Sequence, residues 1–193
     1  SAHAAPTTSF SQQVDDLNAI VGDYPTVVFG HSYGGVVALA SATKGNPALR
    51  AIATFEAPRA WEEWWPAPPS SDIDPADAAE HFLRHLIGDD RWEGLPEMIR
   101  RRRRAEGTLM VEELHAQTAR RYNAEMMDIP LVIGVGERSG DHAQRAALNT
   151  AEEGKMSRLV SIAGAGHSAP TTHPQQVAAL IHSAIIDAQL TDV

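Results

Sequence analysis

Ser32, set in Gly30-His31-Ser32-Tyr33-Gly34, and His167, set in Gly164-Ala165-Gly166-His167, are the residues of this chain whose types and settings suit nucleophilic acyl transfer. A serine hydroxyl attacks well only when a base takes its proton, and an imidazole does so near neutral pH once a carboxylate fixes its tautomer. In that chemistry Ser32 attacks an acyl carbonyl, His167 passes the proton to the leaving group, and water then hydrolyses the acyl-enzyme.

The surroundings of Ser32 support this reading. The apolar run Thr26-Val27-Val28-Phe29 precedes it and Gly35-Val36-Val37-Ala38-Leu39-Ala40 follows, so a strand turns sharply into a helix at a nucleophile elbow. Gly30 and Gly34 are expected where a strained corner leaves no room for side chains. The backbone N–H of Tyr33, opening the helix, is placed to bind an oxyanion. His167 follows a strand through a glycine-rich loop that can return the imidazole over the elbow, whereas His31 suits a pocket wall better than the role of base. His81 and His85, four apart on a helix, have no matching third ligand and read as a solvated face rather than a metal site.

Ser9 and Gln12 have capping-box spacing, and Phe10, Val14, Leu17 and Val21 recur at helical intervals up to Gly22. After the elbow helix, Asn46-Pro47 breaks the chain and Ala51 to Phe55 forms a second buried strand. From Trp61 to Asp128 the pattern turns to helices punctuated by Asp74-Pro75, Gly88 and Leu95-Pro96. Strand-and-helix order then resumes with Leu131 to Ile133, a helix from Asp141 to Thr150, and a last strand from Leu159 to Ile162. Thr172 to Gln175 has the spacing to cap a closing helix that buries Val177, Leu180, Ile181, Ile185 and Ile186. Alternating helices and strands predict an α/β fold with a mostly parallel sheet and flanking helices. Residues 1–60 and 129–193 would form its core, and 61–128 an inserted helical cap.

A length of 193 residues with 43% hydrophobic residues suits a domain with a sizeable core. The formal charge of −9 argues against nucleic acid or an anionic membrane as partner. The absence of cysteine excludes a thiol nucleophile and permits a reducing, cytoplasmic compartment. No apolar stretch approaches the roughly 18 to 20 residues that span a bilayer, and Ser1 to Pro6 lacks the basic and apolar regions of a signal peptide.

From Ser9 to its C-terminus the chain resembles the α/β-hydrolase fold. It is similar to a group of hydrolases that carry an acidic residue and proline after the strand following the elbow, a Gly-Glu-Arg-Ser string after the next strand, and a later Gly-x-Gly-His. Here these are Glu56-Ala57-Pro58, Gly136-Glu137-Arg138-Ser139 and Gly164-Ala165-Gly166-His167. The family pattern also has strands and an oxyanion-contributing loop ahead of the first helix seen here, so the fold is expected to be incomplete at its N-terminus. Because Thr26 to Phe29 is apolar on both faces, as in a central strand, the missing strands are expected to exist, either as a separate partner chain or as a further stretch of this one. Losing the second oxyanion donor with them would cost about 2.7 to 4 kcal/mol of transition-state stabilisation.

The resemblance leaves the third catalytic member open. Most members of the fold place an aspartate where this chain has Ser139, which cannot orient an imidazolium by charge. Glu56 is favoured, since some relatives place the acid at that strand end, among them haloalkane dehalogenases, whose sequence resembles Phe55 to Trp64 here. Glu137 and Asp141 remain alternatives that need a shifted loop, and the competing use of Glu56 is an ion pair with Arg59 or a cap arginine. Trp61, Trp64 and Trp65 would either line an apolar acyl pocket or pack cap on core. Arg100 to Arg104 would surround a solvated helix.

The expected function is therefore a cofactor-free serine hydrolase of a small-molecule ester, lactone or similar acyl compound. Cofactor-free haloperoxidase or carbon–carbon bond hydrolase chemistry shares the fold and triad, and a non-catalytic binding module is the remaining reading. Dehalogenase chemistry would need an aspartate in place of Ser32.

Overall fold

A computed structural model describes residues 9–70 and 72–189, so the opening Ser1 to Pro6 lies outside the described residues. Helix α1 (Phe10–Val21) starts on Ser9, whose hydroxyl accepts the Gln12 N–H while the Gln12 side chain accepts the Ser9 N–H. This closed capping box satisfies two donors that a helix start otherwise leaves unpaired. Strand β1 (Thr26–His31), helix α2 (Tyr33–Ala42) and strand β2 (Leu49–Phe55) follow.

The described residues fall into two compact units, one formed by 9–59 and 120–189, the other by those between 60 and 119. The second is helical, with α3 (Pro75–Ile87), α4 (Asp89–Glu93), α5 (Glu97–Ala105) and α6 (Gly107–Ala116). The Asp74 carboxylate accepts the backbone N–H groups of Ala76 and Asp77, Pro75 occupies the first turn, and Gly88 ends the helix at φ 87°. Within this unit Arg100 pairs with Glu93, Arg102 and Arg103 with Glu106, and Arg104 with Asp77 and Glu80. Four of the five consecutive arginines thus face neighbouring carboxylates.

The first unit resumes with β3 (Leu131–Gly136), α7 (Asp141–Glu153), β4 (Ser157–Ile162), the short α8 (Ala169–Thr172) and α9 (Pro174–Asp187). Its strands form one parallel sheet in the order β1-β2-β3-β4. Helix α2 packs on β1 and β2, and α7 packs on β3 and β4. Helix α9 lays Leu180, Ala184 and Ala188 on Ala51, Ala53 and Val132, with Val27, Phe29 and Val160 around them. Small strand residues let that helix approach closely, which is how a parallel sheet covers its faces.

Two expectations need correction. The spacing at Thr172 to Gln175 forms no capping box, because His173 is the N-cap of α9 without a side-chain cap bond, and Thr172 instead donates to the Ser168 carbonyl. Of the closing helix's five expected core residues, Val177 and Leu180 are buried, whereas Ile186 is 51% exposed. The stripe on the sheet is narrower than the apolar pattern, with Ala184 completing it. Among the described strands β1 stands at one end of the order, with Thr26 to Phe29 half-buried.

Candidate active site

Register brings two corners side by side. His31 pairs with Phe55 at the ends of β1 and β2, so Ser32 and Glu56 are the next residues of adjacent parallel strands. Both leave the extended region together, with φ 53° at Ser32 and 52° at Glu56. Such backbone costs about 1–3 kcal/mol for a residue with a side chain and persists only when its surroundings enforce it. The Ser32 N–H donates to the Phe55 carbonyl at 2.9 Å and the Glu56 N–H to the Gly134 carbonyl at 2.9 Å, which stitches the corners to the sheet.

The glycines around Ser32 are not equivalent. A Cβ on Gly30 would lie 2.5 Å from the Gly34 carbonyl oxygen, and one on Gly35 would lie 2.7 Å from the Ala57 Cβ. One on Gly34 would meet nothing within 4 Å. The expectation that both motif glycines are sterically required therefore holds for Gly30 alone, because after the serine it is Gly35 that runs against the neighbouring strand end.

Glu56 collects three donors. Its Oε2 accepts from Nδ1 of His167 at 2.7 Å, and its Oε1 accepts the Gly136 N–H at 3.0 Å and the Ser139 hydroxyl. An ionised carboxylate can only accept, so the proton of that pair sits on Nδ1 and Nε2 of His167 keeps the lone pair a base needs. Burial by itself would raise the Glu56 carboxyl, but the hydrogen bonds from His167 and Ser139, the His167 charge and the Gly136 N–H outweigh it and hold the group below its ordinary value. No hydrogen bond among the described residues joins Ser32 Oγ to the imidazole; in unliganded sites that bond is often long and closes on substrate.

The other two candidate carboxylates lie elsewhere in the turn and helix after β3. Glu137 accepts the Gly164 N–H at 2.8 Å, and Asp141 lies in the first turn of α7. Arg59 makes a two-pronged pair with Glu153, at 2.7 and 2.9 Å, so it does not claim Glu56. The turn after β3 thus grips both partners, Ser139 holding Glu56 while Glu137 and the Arg138 N–H, 2.8 Å from the Ala165 carbonyl, hold the loop that carries His167.

His31 does more than border a pocket. Its Nε2 lies 3.0 Å from the His167 carbonyl, which can only accept, and the two rings meet at a tilt of 41° with centroids 4.6 Å apart. Burial first, then the neighbouring His167 charge, lower its pKa against the opposing pull of that hydrogen bond and of Glu56. Tyr33, whose N–H opens α2, donates its hydroxyl to Gln13 at 2.6 Å. Trp61, Trp64 and Trp65 belong to the helical unit, where the last two rings meet at 6.1 Å. The contributions of Ser139 and His31 had no signal in the sequence: a hydroxyl replacing an aspartate looks like a loss until its partner is seen.

The sequence pattern of the alpha/beta hydrolase family matches residues 2–180. The chain belongs to that family. This alpha/beta hydrolase shares its fold with solved structures of low sequence identity. An alpha/beta hydrolase from a Medee basin deep-sea metagenome is 16% identical with a TM-score of 0.70, over 94% of this chain and 74% of that one. Human thioesterase 2 is 15% identical with a TM-score of 0.66, over 99% and 84%. An esterase from Exiguobacterium antarcticum is 14% identical with a TM-score of 0.66, over 98% and 78%. No curated protein matches the sequence. Among the described residues no helix is long and apolar enough to cross a membrane.

Proposed function

We propose that this alpha/beta hydrolase is a serine esterase, cleaving a carboxylic ester, lactone or thioester through Ser32, His167 and Glu56. The observation that carries the reading is the 2.7 Å bond from His167 Nδ1 to a carboxylate at the strand end beside the nucleophile's own. Ser32 Oγ attacks the acyl carbon as its proton moves to Nε2 of His167. Glu56 balances the imidazolium, and the Tyr33 N–H, at the start of α2, supports the oxyanion. His167 returns the proton to the departing alkoxide or thiolate, and water, activated by the same ring, cleaves the acyl-serine. The residues 60–119 would act as a cap, with Trp61, Trp64 and Trp65 offering apolar surface to an acyl chain. A chain without cysteine needs no oxidising compartment for disulfides, which leaves the cytoplasm open as its place of action.

A fluorophosphonate probe tests the reading, because an activated serine displaces its fluoride and becomes phosphonylated. Labelling of the wild-type chain, abolished in Ser32→Ala with the fold retained by circular dichroism, is expected. Labelling that persists in Ser32→Ala would remove Ser32 from the mechanism, and a wild-type chain inert to the probe and to p-nitrophenyl esters would favour a binding module.

A further inference from the structure

We propose that Ser139 is a positioning residue for Glu56, an inference that rests on the esterase reading for its kinetic consequence and on the geometry alone for its structural one. A glutamate at a strand end has one more side-chain torsion than an aspartate, so its carboxylate can swing away from an imidazole unless something stops it. Here Oε1 is pinned from two sides, by the Gly136 N–H at 3.0 Å and by the Ser139 hydroxyl, and that leaves Oε2 on His167.

Ser139 is itself fixed. Its N–H donates to the Gly136 carbonyl at 3.1 Å in a tight turn, and its carbonyl accepts from the Gln144 side chain at 3.1 Å. The hydroxyl also lies 2.7 Å from where a Cβ on residue 136 would stand, so glycine at 136 is what lets it reach the carboxylate. With the Gly136 N–H already donating, an ionised Oε1 requires the hydroxyl to donate too. Ser139 therefore favours the anion and selects the rotamer that meets Nδ1. The same turn that elsewhere could carry the acid here carries the acid's clamp.

The test separates a clamp from a mere loop anchor. Ser139→Ala should slow maximal fluorophosphonate labelling about tenfold or more while the probe concentration for half-maximal rate stays within about twofold, as expected for a hydrogen bond to a charged group. Ser139→Thr, which keeps the hydroxyl, should restore most of the rate. In a Glu56→Gln background Ser139→Ala should change the rate by less than about twofold, since the group it positions is gone. An unchanged rate in Ser139→Ala, or an equal loss in both backgrounds, overturns the proposal.

A second readout does not depend on Ser32. The hydrogen-bonded Nδ1 proton of His167, identified in the proton NMR spectrum by its loss in Glu56→Gln, should shift or broaden in Ser139→Ala. Its persistence unchanged would overturn the clamp even if the esterase reading stood, and its loss would uphold the clamp even if Ser32 proved unreactive.

Discussion

Ser32 and Glu56 end adjacent strands with nearly the same φ, 53° and 52°, yet the two corners are held by opposite means. At Ser32 the side chain makes no capping bond and the backbone is fixed by close approach: Gly30 against Gly34 and Gly35 against Ala57. At Glu56 no close-packed glycine of its own strand helps, and the corner is secured by its own carboxylate through Gly136, Ser139 and His167. Steric fixation does not use the hydroxyl, which the proposed mechanism needs for attack, whereas polar fixation consumes the side chain in holding another group. Removing one atom type should therefore hurt the second corner far more than the first. In Glu56→Gln the amide N–H would meet the Nδ1–H of His167 and favour the wrong tautomer. Esterase turnover and probe labelling should fall about 10³- to 10⁴-fold, as when a triad carboxylate becomes an amide. A loss below about tenfold in steady-state kinetics would deny Glu56 its place behind the ring.

The same contrast explains what could be read in advance. The serine corner was largely legible because Gly30 closes on Gly34 and Gly35 between a strand and a helix, whereas the approach of Gly35 to Ala57 crosses to the neighbouring strand end and left no local mark. The order of elements was legible too, since helical and strand periods alternate and Asp74, Pro75 and Gly88 mark helix ends by backbone chemistry that any sequence shows. The glutamate corner was only half legible: Glu56 stood out by position, but its donors lie 80, 83 and 111 residues away and become neighbours only once β3 and the His167 loop are docked. His31, one residue before Ser32, looked like a wall residue because its partner is a backbone carbonyl, which no residue type announces. The cap box expected at Thr172 failed for a related reason, since the short α8 used that hydroxyl first.

The steric corner can be broken at its contact with the polar one. Ala at Gly35 would put a methyl 2.7 Å from the Ala57 Cβ and 3.2 Å from the Gly30 carbonyl, on a helix packed against β1 and β2. Overpacking of this kind costs about 1–3 kcal/mol. Urea unfolding of Gly35→Ala should show a loss in that range, with labelling of Ser32 reduced because Ala57 follows directly on Glu56. Wild-type stability would mean that the corners are not wedged together.

Acid separates the two corners along the pH axis. His31, beside the serine, has its pKa lowered by burial, so on acidification the unfolded chain takes up this proton near 6.5 while the folded chain still resists it. The unfolded state then binds more protons and stability falls from that pH downward. Glu56, lowered in the fold despite burial, gives up its stabilisation only below its ordinary value of 4.5, where the unfolded carboxyl is protonated first. Unfolding free energy measured against pH should thus decline in two stages, and His31→Gln should flatten the upper stage while leaving the lower one. A single stage in the wild-type chain would show that the serine corner has no titrating neighbour of this kind.

The smallest effect sharpens the steric account most. Gly34 completes the Gly-x-Ser-x-Gly string, but it sits in the first turn of α2 with nothing within 4 Å of where a methyl would stand. If the motif's second glycine were needed for space, Gly34→Ala would destabilise the chain as Gly35→Ala does. The geometry calls for the reverse, because alanine in a helix loses less backbone freedom on folding than glycine and finds open room here. Gly34→Ala should raise stability by about 0.4–1 kcal/mol in urea unfolding. Since Gly34 directly follows Tyr33, whose N–H is proposed for the oxyanion, any penalty should arise in turnover with bulky acyl groups rather than in folding, so stability and turnover measured on one variant would divide the glycine's two reasons for being there.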